Sequence, residues 1–66
     1  MQLLFSRHAR LRMVERGISE AEVRNAVMKG TKRLQDDRIV ALYRYFEVVY
    51  RRDGEKVFVI TVKPRW

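Results

Sequence analysis

Residues 17–30 read Gly17-Ile18-Ser19-Glu20-Ala21-Glu22-Val23-Arg24-Asn25-Ala26-Val27-Met28-Lys29-Gly30. A helix start is written into this stretch. Ser19 and Glu22 have the spacing of a capping box, in which each side chain satisfies a free backbone N–H near the other residue. Ile18, before the cap, and Val23, at the fourth helical position, form a hydrophobic staple. Val23, Ala26 and Val27 make one apolar stripe at i, i+3, i+4. Gly30 closes the segment. The pattern predicts a helix over 20–29.

Upstream, Ser6 is a good N-cap and Gly17 suits the left-handed position after a helix end. The first helix is therefore predicted over 7–16. Only a couple of residues around Gly17-Ile18-Ser19 join the two helices, which makes a tight corner. Residues 3–5 suit a short edge strand.

Downstream of Gly30 the pattern turns to strands. Residues 31–35 are a weak strand, followed by an Asp36-Asp37 turn. Residues 39–43 and 45–51 are rich in β-branched and aromatic side chains. No Gly or Pro separates them, which is compatible with one long bent strand. Asp53-Gly54 reads as a type I′ hairpin turn between Arg52 and Glu55. In the last strand, 56–62, alternation puts Phe58, Ile60 and Val62 on one face and Val57, Val59 and Thr61 on the other. Both sets are mostly apolar, so this strand is expected to be central and covered on both faces. Pro64 ends it, and Trp66 either packs on the sheet or is disordered. The expected fold is α+β: two N-terminal helices on a curled antiparallel sheet of three to four strands, forming a single domain over 1–66.

Sixty-six residues permit one small core. Hydrophobic residues make up 47% of the chain, so composition does not predict disorder. No apolar run approaches the ~20 residues of a membrane span, and the cytoplasm is the expected compartment. With no Cys and one His, disulfides, zinc–cysteine sites and His-rich metal sites are excluded. No metal or other cofactor is expected. The net charge is +7, of which residues 1–33 carry +5. Such a balance favours RNA or another polyanion through phosphate contacts, or an acidic protein partner.

On a wheel of about 100° per residue, His8, Arg12 and Arg16 fall at i, i+4 and i+8, within an arc of about 80°. Ala9 and Met13 lie just beyond it as the sheet-facing residues. The His-Arg-Arg stripe thus borders the helix–sheet seam. Metal-free RNA cleavage needs a base for the 2′-hydroxyl, a donor for the leaving 5′-oxygen and cations for the developing charge. A neutral histidine and two arginines are chemically adequate for it. Tyr43, Tyr45 and Tyr50 offer base stacking or a proton, and Arg44, Arg51, Arg52, Lys63 and Arg65 offer phosphate contacts. Plainer roles exist for each. A lone helical His is more often structural or simply exposed, arginines at i, i+4 are commonly a solvated face, and strand tyrosines are usually core or cross-strand pairs.

Residues 6–19 contain His8-Ala9, Arg12-Met13 and Arg16-Gly17-Ile18-Ser19 at fixed spacing. This pattern resembles the signature of the prokaryotic domain-of-unknown-function family 4258, as does the closing strand Val59-Ile60-Thr61-Val62. That family in turn resembles the RelE/ParE and BrnT toxin superfamily, which implies two helices packed on an antiparallel sheet. By motif position the resemblance implies His8, Arg12, Arg16 and Thr61 as catalytic residues. It also implies an endoribonuclease of a toxin–antitoxin pair, with an acidic antitoxin as partner and RNA, including ribosome-bound messenger RNA, as substrate. Two alternatives stand beside it. One is a non-catalytic nucleic-acid-binding module; the other is a domain that acts by binding an acidic protein, an antitoxin or gyrase.

Overall fold

The computed structural model describes residues 1–65; Trp66 lies outside them. The elements run β1 (Gln2–Phe5), α1 (Arg7–Arg16), α2 (Glu20–Lys29), β2 (Thr31–Gln35), β3 (Arg38–Tyr43), β4 (Phe46–Asp53) and β5 (Lys56–Pro64). Both helices have the bounds read from their caps. Ser6 Oγ accepts from the Ala9 N–H at 2.9 Å. Gly17 is left-handed (φ 67) and ends α1. At α2 the full capping box forms: Ser19 Oγ accepts from the Glu22 N–H at 3.1 Å, and Glu22 Oε1 accepts from the Ser19 N–H at 3.0 Å.

The sheet has five strands in the order β1-β5-β4-β3-β2. The expectation of a curled antiparallel sheet of three to four strands is corrected: β1 and β2 both join, and β1 pairs with β5 in parallel. The parallel pair arises because α1 and α2 carry the chain across one face before the meander β2-β3-β4-β5 begins.

Three two-residue turns connect the meander. Their first central residues, Asp36 (φ 60), Arg44 (φ 54) and Gly54 (φ 60), all have positive φ, which matches the twist of tight hairpins. The segments read over 39–43 and 45–51 are therefore two paired strands, turning at Arg44-Tyr45, and not one long bent strand. An arginine in this conformation is strained by about 1–2 kcal/mol. Residues next to it in space hold it there: Arg65 Nη1 donates to the Arg44 carbonyl at 2.8 Å, and the Arg65 N–H donates to the Tyr45 carbonyl at 2.9 Å. The last turn also lies one residue along from its expected place. Asp53 pairs with Lys56, so the central pair is Gly54-Glu55. Positive φ at Gly54 alone fits a type II′ turn, which prefers glycine first.

Both helices cover the same face of the sheet. Ala9 and Met13 of α1 and Val23, Ala26 and Val27 of α2 pack with Ala41, Phe46, Val48, Tyr50, Val57, Val59 and Val62. Gly30 brings α2 down onto β3: a Cβ there would lie 2.5 Å from the Ala26 carbonyl oxygen and 2.7 Å from that of Leu42. β5 is not apolar-covered on both sides as expected. Val57, Val59 and Val62 are buried, while Phe58 and Lys63 are exposed. A bulge explains the change of phase. Val49 faces Thr61 and Tyr50 faces Val59, so Ile60 is the unpaired extra residue. The bulge brings Val62 onto the core face and leaves Phe58, Thr61 and Lys63 on the other, which we call the open face.

Candidate active site

Ser6 fixes the geometry of the site. Its hydroxyl caps α1 and also donates to the carbonyl of Ile60, the bulge residue, at 2.7 Å; its N–H donates to the Val59 carbonyl at 3.0 Å. The first turn of α1 is thus pinned to the bulge. One helical turn then sets His8 beside the stretch of β5 that lies beyond the end of β1.

His8, Arg12, Arg16, Thr61, Lys63 and Pro64 line one cavity of about 390 Å³. Residues from opposite ends of the chain meet there, including all four that the signature picks out. His8 is exposed and bonded to no described residue, so it is not a histidine held in the core. Arg12 Nη1 lies 3.1 Å from Glu15 Oε1, an exposed pair that competes only weakly for a ligand phosphate. Arg16 and Lys63 form no ion pair among the described residues. The cleft therefore offers one imidazole and three cations.

A second hollow of about 240 Å³ adjoins it, sharing Arg16 and Pro64 and lined also by Glu15, Ile18, Tyr45 and Phe46. Tyr45 is 42% exposed and stands edge-on to Phe46, with ring centroids 5.5 Å apart. Its ring therefore borders the way out of the cleft.

The other sequence-derived residues lie elsewhere. Tyr50 is 2% exposed and belongs to the core. It cannot stack on a base, and burial pushes its phenol above the ordinary value, partly offset by the Arg52 charge. Tyr43 is half-buried against Phe46, and the Arg44 guanidinium lies 5.4 Å from its ring centroid. Arg65 braces the β3–β4 turn. Arg51 and Arg52 lie toward the opposite end of β4, away from His8. Three residues of the open face escaped the sequence reading: Arg33, Arg38 and Phe58. Arg33 Nη2 lies 3.6 Å from Glu47 Oε1, an oxygen that is buried and accepts no hydrogen bond. A solvated arginine and a strand phenylalanine carry no local mark of function, so no sequence signal singles these positions out.

Residues 5–63 match the family model described as a domain of unknown function, DUF4258. The chain belongs to the DUF4258 family. Its matched segment reaches from the residue before the α1 cap to the lysine of the cleft. No curated protein matches the sequence. Among solved structures, a chain from the RelBE2 toxin–antitoxin complex of Mycobacterium tuberculosis is similar, with a TM-score of 0.69 and 20% identity over 97% of this chain and 96% of that one. At this identity the likeness shows a shared fold. No described helix is long and apolar enough to cross a membrane, and no group of metal-ligating side chains occurs among the described residues.

Proposed function

We propose that this DUF4258 domain is a toxin-like endoribonuclease of a toxin–antitoxin pair that cleaves RNA without a metal. One observation carries the reading: His8, Arg12, Arg16 and Thr61, spread over the signature and the closing strand, line a single cationic cavity with Lys63. The fold shared with a chain of a toxin–antitoxin complex supports the biological setting, although fold alone does not carry activity.

The residues divide the work by their chemistry. His8, as general base, takes the proton of a ribose 2′-hydroxyl. The 2′-oxygen forms a bond to the adjacent phosphorus as the bond to the 5′-oxygen breaks, leaving a 2′,3′-cyclic phosphate and a 5′-hydroxyl. Arg12 and Arg16 hold the non-bridging oxygens, where negative charge grows. The leaving oxygen needs a proton. Arginine does not give one up, so Lys63 is the cationic donor of the cleft. The Thr61 hydroxyl adds a neutral donor to the phosphate.

Incubating the protein with single-stranded RNA in the presence of a chelator tests the reading. The expected products carry 2′,3′-cyclic phosphate and 5′-hydroxyl ends, and a 2′-deoxy nucleotide at the cut position blocks cleavage. Products with 3′-hydroxyl ends, or no cleavage of any RNA, free or on ribosomes, would contradict it.

A second reading, a domain acting through an acidic protein partner, is favoured by a different surface. Leu11 and Val14 of α1 are 56% and 80% exposed, with Arg7 and Arg10 beside them. An acidic antitoxin helix fits such a stripe, and binding of this kind is compatible with the nuclease reading.

A further inference from the structure

A hollow of about 590 Å³ lies on the open face away from the cleft and is lined by Arg38, Arg51, Arg52, Asp53, Phe58 and Ile60. We propose that Phe58, with Arg38 and Arg51, forms a nucleotide subsite that stacks one base of a single-stranded RNA whose scissile phosphate lies in the His8 cleft. The proposal rests on the nuclease reading for the position of the scissile phosphate only.

Three observations point to a nucleotide. First, Phe58 is 40% exposed in a strand whose other large apolar residues are covered or half-covered. Arg10 lies over the ring of Phe5 and Arg44 over that of Tyr43; among the described residues no guanidinium lies over Phe58, which leaves its ring open to stacking. Second, Arg51 is its direct cross-strand partner, and Arg38 flanks Arg51 on β3. A stacking ring bordered by cations is how single strands are held without sequence preference. Third, the Asp37 carboxylate already sits where a phosphate would be held: Oδ2 lies 2.9 Å from Arg51 Nη2 and Oδ1 4.0 Å from Arg38 Nε. All three side chains are about half exposed or more, so the pairs are weak and displaceable. Asp37 thus acts as a resident competitor for the phosphate. Asp53 is the acid among the residues that line the hollow itself.

The bulge gives the subsite its relation to the cleft. It leaves Phe58 and Thr61 on one face although they are three residues apart, which at about 3.3 Å per residue is roughly 10 Å along the strand. A neighbouring nucleotide of one RNA strand can span that distance.

The test measures binding without cleavage, using a short fully 2′-O-methylated single strand and the same strand with abasic sugars, by fluorescence anisotropy at low salt. Phe58→Leu keeps apolar area but removes the ring. It should weaken binding of the base-bearing strand by roughly 5- to 150-fold, the range of one lost base stack, and leave the abasic strand unchanged. Asp37→Asn should tighten both strands and steepen the salt dependence. Equal binding of both strands by the wild-type protein, no binding, or insensitivity to Phe58→Leu overturns the subsite. Phe58-dependent binding without cleavage of the unmodified RNA sustains the subsite and sinks the nuclease reading instead.

Discussion

The two faces of the sheet are built from the same strands but to different ends. The helix face is valine, alanine and aromatic carbon, and among the described residues no polar or charged residue is fully buried there. The open face carries Arg33, Arg38, Arg51 and Lys63 around the small buried pair Val40–Val49. It also leaves a phenylalanine partly in water and a buried carboxylate oxygen without a hydrogen bond among the described residues. A domain of this size has little stability to spare, roughly 3–10 kcal/mol at 0.05–0.15 kcal/mol per residue. Leaving one face undeveloped as a core is therefore informative: the helix face supplies the stability, and in the function proposed above the open face with its adjoining cleft supplies recognition.

Two phenylalanines sharpen this contrast most. Phe46 is fully buried on the helix face; Phe46→Ala should cost about 3–5 kcal/mol and leave the domain largely unfolded in urea titration. Phe58→Ala, at a ring that is 40% exposed, should cost clearly less, about 1–2 kcal/mol. Equal losses at the two positions would erase the distinction between the faces.

Ser6 tests how the faces are joined. Ser6→Ala removes the α1 cap, worth about 0.5–2 kcal/mol, and the bond to the bulge. Thermal melting should report a loss in that range, and RNA cleavage should fall at temperatures where the variant remains folded, because His8 loses its register with Thr61. Ser6→Thr should restore both. Unchanged cleavage in folded Ser6→Ala would show that the cleft does not depend on this link.

The smallest effect concerns Tyr50. Its folded-state pKa is raised by burial, so the unfolded chain ionises first as pH rises. The neutral phenol's contribution is complete below the ordinary tyrosine value near 10 and is lost as pH climbs toward the folded value. Stability of the wild type should therefore decline above about pH 10, and Tyr50→Phe should flatten that decline. An equally steep decline in the variant would assign it to other groups.

Local chemistry made much of the fold legible. Ser6, Gly17, and the Ser19–Glu22 box set both helices to the residue, because caps act within one turn. What escaped depends on distant parts of the chain. Arg44 is an improbable turn residue, and the groups that steady it belong to Arg65. The parallel place of β1 follows from the path of two helices rather than from its own four residues. The bulge at Ile60 is hidden because Val57 to Val62 is nearly all apolar, so a shift of phase leaves no trace in the pattern. The same shift explains why Phe58 read as covered. In the cleft, helical periodicity and the signature brought out His8, Arg12 and Arg16. Lys63 lines it with them because the bulge sets the phase of β5. Tyr50 suited either face of a strand, and only the packing of both helices decides that it is core.

Cleavage of single-stranded RNA by His8→Ala, measured beside its thermal melting curve, tests the central claim most directly. His8 is exposed and bonded to no described residue, so the melting curve should coincide with that of the wild-type protein. Loss of a general base should slow cleavage by about 10²–10⁴-fold. A variant that melts as the wild type does and cleaves at the wild-type rate would contradict the account and leave the cleft a purely electrostatic surface.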